Sequence, residues 1–182
     1  MAAWQRKGIL FFLMALLALI AAGLWYRMNS LRPAPGDALV GGGLPSVGNR
    51  TPDFQLTDLA GKKVKLADFR GKPVFLNFWA TWCVFCRAEF PIIEEAYKEY
   101  GAKVVFLAVN TGEQPATAKE YLDRNGARVP VLFDPEGEVA RRYLVQGLPT
   151  SYFISPDGVI RDKVVGAVDG PGLRTRLEGL LR

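Results

Sequence analysis

The chain of 182 residues contains no histidine and only two cysteines. The absence of histidine excludes a Ser-His-Asp triad, a Cys-His nucleophile pair, a histidine-ligated metal and a haem held by histidine. Two cysteines are also too few for the disulfide framework of a small secreted fold, which uses four or more. Because Cys83 and Cys86 stand three positions apart, their chemistry is expected to be that of a local pair.

Positive charge is concentrated at the start of the chain. The formal net charge is +5, of which residues 1–50 carry +4 and residues 51–182 only +1. The larger part is therefore almost neutral and lacks the basic face of a nucleic-acid-binding domain, so no nucleic-acid partner is expected. The basic excess flanks a hydrophobic segment, where membrane topology explains it better.

The hydrophobic segment Gly8–Tyr26 has 19 residues and no charged side chain. As a helix it would extend about 28 Å, close to the thickness of about 30 Å of a bilayer core. Arg6 and Lys7 favour an N-terminus in the cytoplasm. We therefore expect residues 1–28 to form a single-pass membrane anchor, with the remaining chain on the extracytoplasmic (periplasmic) side. A cleaved signal peptide is the alternative, because small residues lie near the end of the segment.

Residues 29–50 are rich in proline and glycine, which is the composition of a flexible linker. Residues 51–182 are expected to form one globular domain with elements in the order ββ, β-α-β-α-β, ββα. This order predicts a mixed sheet with helices on both faces, opened by an N-terminal β-hairpin. The predicted strands are 54–56, 64–66, 73–79, 103–109, 129–133, 151–155 and 159–165, and the predicted helices are 87–100, 115–125, 139–143 and 172–181.

Cys83 and Cys86 directly follow the predicted strand 73–79 and open the next helix. Side chains three apart on a helix are neighbours, with Cβ atoms about 5–6 Å apart. A small local adjustment brings two such cysteines to disulfide distance. At the helix N-terminus, free N–H groups and the helix dipole are expected to favour the Cys83 thiolate. Cys83 should therefore attack a client disulfide, and the more shielded Cys86 should resolve the mixed disulfide.

Other uses of the pair fit the sequence less well. A zinc site would need two more ligands, and a covalent haem would need histidine where Arg87 stands. A static structural disulfide would close a two-residue gap and restrain little chain entropy. A peroxidase needs a Pro-x-x-x-Thr-x-x-Cys frame, in which neither cysteine stands. A redox-inert binding module that keeps both cysteines for packing is a further alternative.

The segment from Phe78 to Pro91, FWATWCVFCRAEFP, resembles the active-site segment of the thioredoxin superfamily, and within it the membrane-tethered TlpA/ResA/CcmG branch. The segments LAGK and LADFRGKP resemble the opening hairpin of that branch, GLPT its cis-proline loop and PDG its final hairpin. The resemblance covers residues 51–182. It implies a thioredoxin-like three-layer α/β fold preceded by one transmembrane helix.

The resemblance also implies roles for single residues. Pro149 would be a cis-proline facing the cysteine pair and would bind substrate together with Thr150 and Trp82. Glu89 matches the acidic residue that ResA-like proteins place near the thiols, where it would accept the proton of Cys86. The alternative is a solvated glutamate on the helix face.

Two positions depart from related patterns. Asn77 stands where cytosolic thioredoxins carry a buried aspartate, so the thioredoxin proton route does not carry over, although asparagine fits the ResA-like branch. Phe85 replaces the proline that usually precedes the second cysteine and adds apolar surface beside the thiol. The reduction potential is therefore open over the range of related proteins, about −270 to −120 mV.

The resemblance implies an enzyme that reduces disulfides of client proteins outside the cytoplasm, such as apocytochrome c during cytochrome c maturation. It would need no metal and no cofactor beyond the redox-active disulfide Cys83–Cys86, and it would act as a monomer. Electrons would arrive from a membrane thiol carrier, because an oxidising compartment otherwise keeps dithiols oxidised. A disulfide oxidase or isomerase on the same scaffold is the alternative, and a reduction potential distinguishes the two.

Overall fold

The computed structural model describes Met14, residues 18–25 and residues 44–182. The chain divides into two compact units, Met1–Val40 and Gly41–Arg182. Both cysteines and all the other predicted site residues lie in the second unit.

The predicted membrane anchor falls largely outside the described residues. Met14 and residues 18–25 are helical, and their side chains are exposed. Within the part of the chain that the structure describes, no helix combines the length and hydropathy needed to cross a bilayer. Membrane anchoring therefore stays a prediction, as do the limits 1–28, 29–50 and 51–182.

The second unit is built on a seven-stranded sheet with strand order β2-β1-β5-β4-β3-β6-β7. The neighbours β3–β4 and β4–β5 are parallel, and all other neighbours are antiparallel. The strands are β1 Gln55–Asp58, β2 Lys63–Lys65, β3 Val74–Trp79, β4 Val105–Thr111, β5 Val131–Asp134, β6 Thr150–Ile154 and β7 Ile160–Val165. The helices are a 3-10 helix Leu66–Phe69, α1 Val84–Tyr100, α2 Pro115–Asn125, α3 Glu138–Arg142 and α4 Gly170–Leu180. The predicted element order and mixed sheet are confirmed.

Hydrophobic side chains are buried on both faces of the sheet. On one face, the core contains Phe75 of β3 together with side chains of α1, α2 and α4. On the other face, Phe78 of β3 packs with α3, and Leu66 of the 3-10 helix joins the same core. Because β3 is buried along its whole length, its sequence is apolar apart from Asn77, as expected of a central strand covered on both faces. These layers confirm the thioredoxin-like α/β fold.

The end of the predicted linker is hydrogen-bonded to the β6–β7 hairpin. The Gly48 N–H donates to the Ile160 carbonyl (2.8 Å), the Ile160 N–H to the Asn49 carbonyl (2.9 Å) and the Thr51 N–H to the Gly158 carbonyl (2.9 Å). In the β3–β6 pairing, the hairpin end of β6 lies beside the start of β3. Residues 48–51 therefore lie at the edge of the sheet where β3 begins, opposite to the edge where β3 ends and the cysteine pair follows.

Candidate active site

The cysteine pair occupies the N-terminus of α1, directly after β3. A disulfide joins Cys83 and Cys86, whose Cα atoms are 5.2 Å apart. Cys83 is the N-cap residue, and the Cys86 backbone N–H donates to Cys83 Sγ (3.1 Å). Unpaired N–H groups and the helix dipole stabilise negative charge at this position. A Cys83 thiolate released by reduction would therefore be stabilised by the helix that it caps.

Exposed apolar side chains surround the buried disulfide. Cys83 is 6% exposed and Cys86 1%, so Cys83 is the more accessible cysteine, as expected. Trp82, Val84 and Phe85 are 64%, 63% and 67% exposed. A cluster of exposed apolar side chains around a reactive group is typical of a surface that binds another polypeptide.

The Leu148–Pro149 peptide bond is cis, as the resemblance implied. Pro149 directly precedes β6, and Thr150 pairs with Phe78 of β3, so the loop lies at the end of β3 that leads to the cysteines. The Thr150 side chain is fully buried, and its hydroxyl donates to the Gly147 carbonyl (2.7 Å). Thr150 therefore holds the cis-proline loop, and Pro149, which is itself buried, lies at the same end of the sheet as the exposed Trp82.

Glu89 is buried in the core, one helical turn after Cys86. The α1 residues buried with it include Cys86, Phe90 and Ile93. Its carboxylate accepts hydrogen bonds from the Val168 backbone N–H (2.8 Å) and from Asn77 Nδ2 (3.3 Å). Burial raises the pKa of Glu89 to about 7, against the lowering effect of these two donors. The alternative of a solvated glutamate on the helix face is wrong. A carboxyl group that titrates near neutral pH beside a cysteine pair can exchange a proton with it.

Comparison with known proteins identifies the family. A model of the AhpC/TSA family matches residues 47–163. The chain belongs to this family. The chain is similar to the thiol-disulfide oxidoreductase ResA of Geobacillus kaustophilus, with 38% identity over 136 residues, which cover 74% of this chain and 78% of that protein. ResA of Bacillus subtilis is 33% identical over 165 residues, which cover 90% of this chain and 89% of that protein.

A crystal structure from Chlorobium tepidum, described as a candidate thiol:disulfide interchange protein DsbE, superposes with a TM-score of 0.70. It is 34% identical and covers 75% of this chain and 99% of its own. Together with the ResA relatives, it shows that this AhpC/TSA family member is a thiol–disulfide oxidoreductase of the TlpA/ResA/CcmG-like branch of the thioredoxin superfamily.

The oxidoreductase has a further acidic residue at the site, Glu113, which the sequence analysis did not single out. The Thr81 backbone N–H (2.7 Å) and hydroxyl group both donate to its carboxylate, and Asn110 Nδ2 donates as well (2.7 Å). Arg87 Nη1 donates to the Thr81 carbonyl (3.0 Å). These bonds fix the backbone of the loop between β3 and Cys83.

The buried carboxyl group of Glu89 is expected to destabilise the folded oxidoreductase at neutral and alkaline pH. Its pKa of 4.5 in the unfolded chain rises to about 7 on folding. Between pH 4.5 and pH 7, the folded state therefore binds more protons than the unfolded state. Stability therefore falls as pH rises, by about 3 kcal/mol for this group at about 1.36 kcal/mol per pKa unit. The Glu89→Gln variant should lack this loss. The measurement is chemical unfolding of oxidised wild type and variant from pH 4 to pH 8.

From pH 4 to pH 8, the free energy of unfolding of Glu89→Gln should therefore increase by about 3 kcal/mol relative to that of wild type. The control is Glu95→Gln on the same helix, because Glu95 is exposed and its replacement should leave the pH dependence unchanged. A constant difference between Glu89→Gln and wild type would contradict the raised pKa.

Proposed function

We propose that the protein reduces disulfides of extracytoplasmic client proteins by dithiol exchange through Cys83 and Cys86. The observation that carries the proposal is the position of Glu89. A buried carboxyl group with a pKa of about 7 follows Cys86 by one turn on the same helix face. A resolving thiol must lose a proton before it can attack, and such a carboxylate is a suitable acceptor.

The exchange proceeds in two displacements. In the dithiol form, the Cys83 thiolate attacks one sulfur of the client disulfide, the client S–S bond breaks, and the leaving client sulfur takes up a proton. Cys86 then gives its proton to Glu89 and attacks Cys83 Sγ, which releases the second client sulfur as a thiolate. Two electrons pass to the client, and the enzyme is left with the Cys83–Cys86 disulfide.

An external electron donor, such as a second dithiol, must then reduce the enzyme, because both cysteines of the chain are used in the exchange. We propose a membrane thiol carrier as this donor, because soluble dithiols do not persist in an oxidising compartment. The protein is proposed to act as a monomer with one reactive pair.

The surface around the disulfide supports polypeptide clients. Trp82, Val84 and Phe85 present apolar side chains on both sides of Cys83, and Pro149 lies at the same end of the sheet. We propose that a client segment packs on the three exposed side chains as its disulfide meets Cys83. Apocytochrome c, with two cysteines in a Cys-x-x-Cys-His segment, is the client class that we propose.

The test mixes the reduced full-length protein with a peptide that contains Cys-x-x-Cys-His as an internal disulfide. We expect the peptide to become a dithiol as the enzyme becomes a disulfide, one for one, with no transfer by Cys83→Ser. Oxidation of the dithiol peptide by the oxidised enzyme, without the reverse reaction, would instead indicate the oxidase alternative. Peroxide-dependent turnover would indicate a peroxidase.

We propose that residues 1–28 anchor the protein in the cell membrane with the globular unit outside the cytoplasm. The charge-free run Gly8–Tyr26 supports this proposal. The ResA of Bacillus subtilis aligns with 90% of the chain, so the similarity extends into this N-terminal segment. Because the chain joins the sheet at the end opposite to β3's C-terminus, a tether would leave the disulfide free to meet clients.

The expected topology can be measured directly. A reporter that is active only outside the cytoplasm, fused after Arg182, should be active. N-terminal sequencing of the membrane fraction should show that the segment Gly8–Tyr26 is retained. A mature N-terminus near Gly23 would show that the segment is a signal peptide, and an inactive reporter would place the disulfide in the cytoplasm.

A further inference from the structure

A polar cluster lies under the active-site helix, within an otherwise apolar core. Asn77 of β3 and Ser151 of β6 are fully buried, and Glu89 of α1 is 2% exposed. Asn77 Nδ2 donates to Ser151 Oγ (2.9 Å) and to Glu89 Oε2 (3.3 Å). Buried polar side chains weaken a core unless they are fully paired, so the cluster calls for an explanation beyond packing.

We propose that Asn77, held in orientation by Ser151, is a positioning residue that keeps the Glu89 carboxylate in place and stabilises its ionised form for the resolving step. The proposal rests on the proposed role of Glu89 as proton acceptor for Cys86. Asn77 acts through Glu89 and does not itself touch the reacting sulfur atoms.

The register of the sheet explains how Ser151 orients the amide group. Asn77 and Ser151 are directly opposite each other on the antiparallel strands β3 and β6, so their side chains lie on the same face of the sheet. Because the amide group is planar, a bond from one N–H to Ser151 Oγ sets the direction of the other. That second N–H is directed at Glu89.

The amide oxygen of Asn77 shows that this orientation of the side chain destabilises the fold locally. Asn77 Oδ1 is buried and has no hydrogen-bond partner among the described residues. A buried acceptor without a partner destabilises a folded protein, because the hydrogen bond to water that it loses on folding is not replaced. The opposite orientation would place this oxygen against the carboxylate, where two acceptors repel each other. The observed orientation therefore stabilises an ionised Glu89 and leaves Asn77 Oδ1 without a hydrogen bond.

No other side chain hydrogen-bonds to Glu89 within the described part of the chain. Its second donor is the Val168 backbone N–H on the segment before α4. The charged neighbour on that segment, Asp169, caps α4 through the Gly172 N–H (2.8 Å). On α1 the neighbouring reactive group is Cys86, which is a thiol only in the dithiol form. Asn77 is thus the side chain through which the ionised form of Glu89 can be altered without changing Glu89 itself.

The test compares full-length Asn77→Leu and Ser151→Ala with wild type. Leucine has the same branched shape as asparagine and removes both the donor and the unpaired oxygen. With the disulfide peptide as client, rapid mixing and acid quenching follow decay of the mixed disulfide from pH 6 to pH 9. Asn77→Leu should resolve it about fivefold more slowly at pH 7 and at nearly the wild-type rate at pH 9, because loss of a donor disfavours the carboxylate.

Ser151→Ala should show the same pH-dependent slowing to a smaller extent, because the amide remains but is no longer held. Formation of the mixed disulfide by Cys83 should be unchanged in both variants. The matched control is Ser155→Ala, which removes a mostly buried hydroxyl just after the same strand, bonded to Asp157 and the Val159 carbonyl. It should leave the pH profile unaltered.

The outcomes separate this inference from the proposed function. Equal slowing at every pH, or none, in both variants would refute the positioning role of Asn77. If Glu89→Gln itself resolved the mixed disulfide like wild type, the failure would lie with Glu89 as proton acceptor. A pH-dependent decrease in the rate of resolution in Ser151→Ala would support the inference even if Asn77→Leu did not fold.

Discussion

Replacing Cys86 with serine should arrest the reaction at the mixed disulfide and abolish turnover. Cys83 lies at the N-terminus of α1 and is the more accessible cysteine, so it should still attack the client. Without Cys86, no neighbouring thiol can break the new bond. Mass spectrometry under non-reducing conditions should find the client peptide bound to Cys83, and a dithiol reagent should release it.

The matched variant is Cys83→Ser, which should form no covalent adduct, because Cys86 is 1% exposed and lies inside the helix. A stable adduct with Cys83→Ser and none with Cys86→Ser would reverse the assigned roles. Unchanged biological activity of both variants would indicate a redox-inert binding module.

Replacing Glu89 with glutamine should slow the resolving step by about 100-fold near pH 7, the lower end of the usual contribution of a general base. Glutamine keeps the size and hydrogen-bonding capacity but cannot take a proton. In wild type, the pKa of about 7 means that the base is ionised above that pH. The wild-type rate of resolution should therefore fall as pH drops from 8 to 6 with an inflection near pH 7, and the variant should lack this inflection.

The control is again Glu95→Gln, an exposed glutamate on the same helix. It should retain the wild-type rate and pH profile. Rapid mixing should also show that Glu89→Gln forms the mixed disulfide normally, because the first attack depends on Cys83. If Glu89→Gln resolved the adduct at the wild-type rate across pH 6–8, the buried carboxyl group would have no part in the exchange.

Local sequence signals located most elements of the fold. The predicted helix 115–125 matches α2, where proline begins the helix and Gly126 ends it in the left-handed conformation (φ 61°). The predicted helix 87–100 began three residues too late. The reason is that Cys83 caps α1 through its sulfur atom, whereas the familiar capping signals are serine, threonine, aspartate and asparagine.

The cysteine pair and the cis-proline were predictable because each belongs to a short motif. The environment of Glu89 was not, because its partners are distant in sequence. Val168 and Asn77 meet it only when α4 and β3 pack against α1. A helical period alone cannot tell a buried glutamate from an exposed one.

Glu113 was missed for a similar reason, since 32 residues separate it from Thr81. One signal could have found it. The ends of the parallel strands β3 and β4 lie side by side, with Trp79 opposite Asn110. Polar residues just after such strands gather at one edge of the sheet, where sites in α/β folds commonly form.

The reduction potential of the Cys83–Cys86 couple tests the central claim most directly, because it decides the direction of electron flow. It is measured on the full-length protein by equilibration with glutathione or dithiothreitol buffers and separation of the two forms. A reductase should have a potential on the order of −270 mV, like thioredoxin. A value on the order of −120 mV would mark a strong oxidant and contradict the proposed reduction of client disulfides.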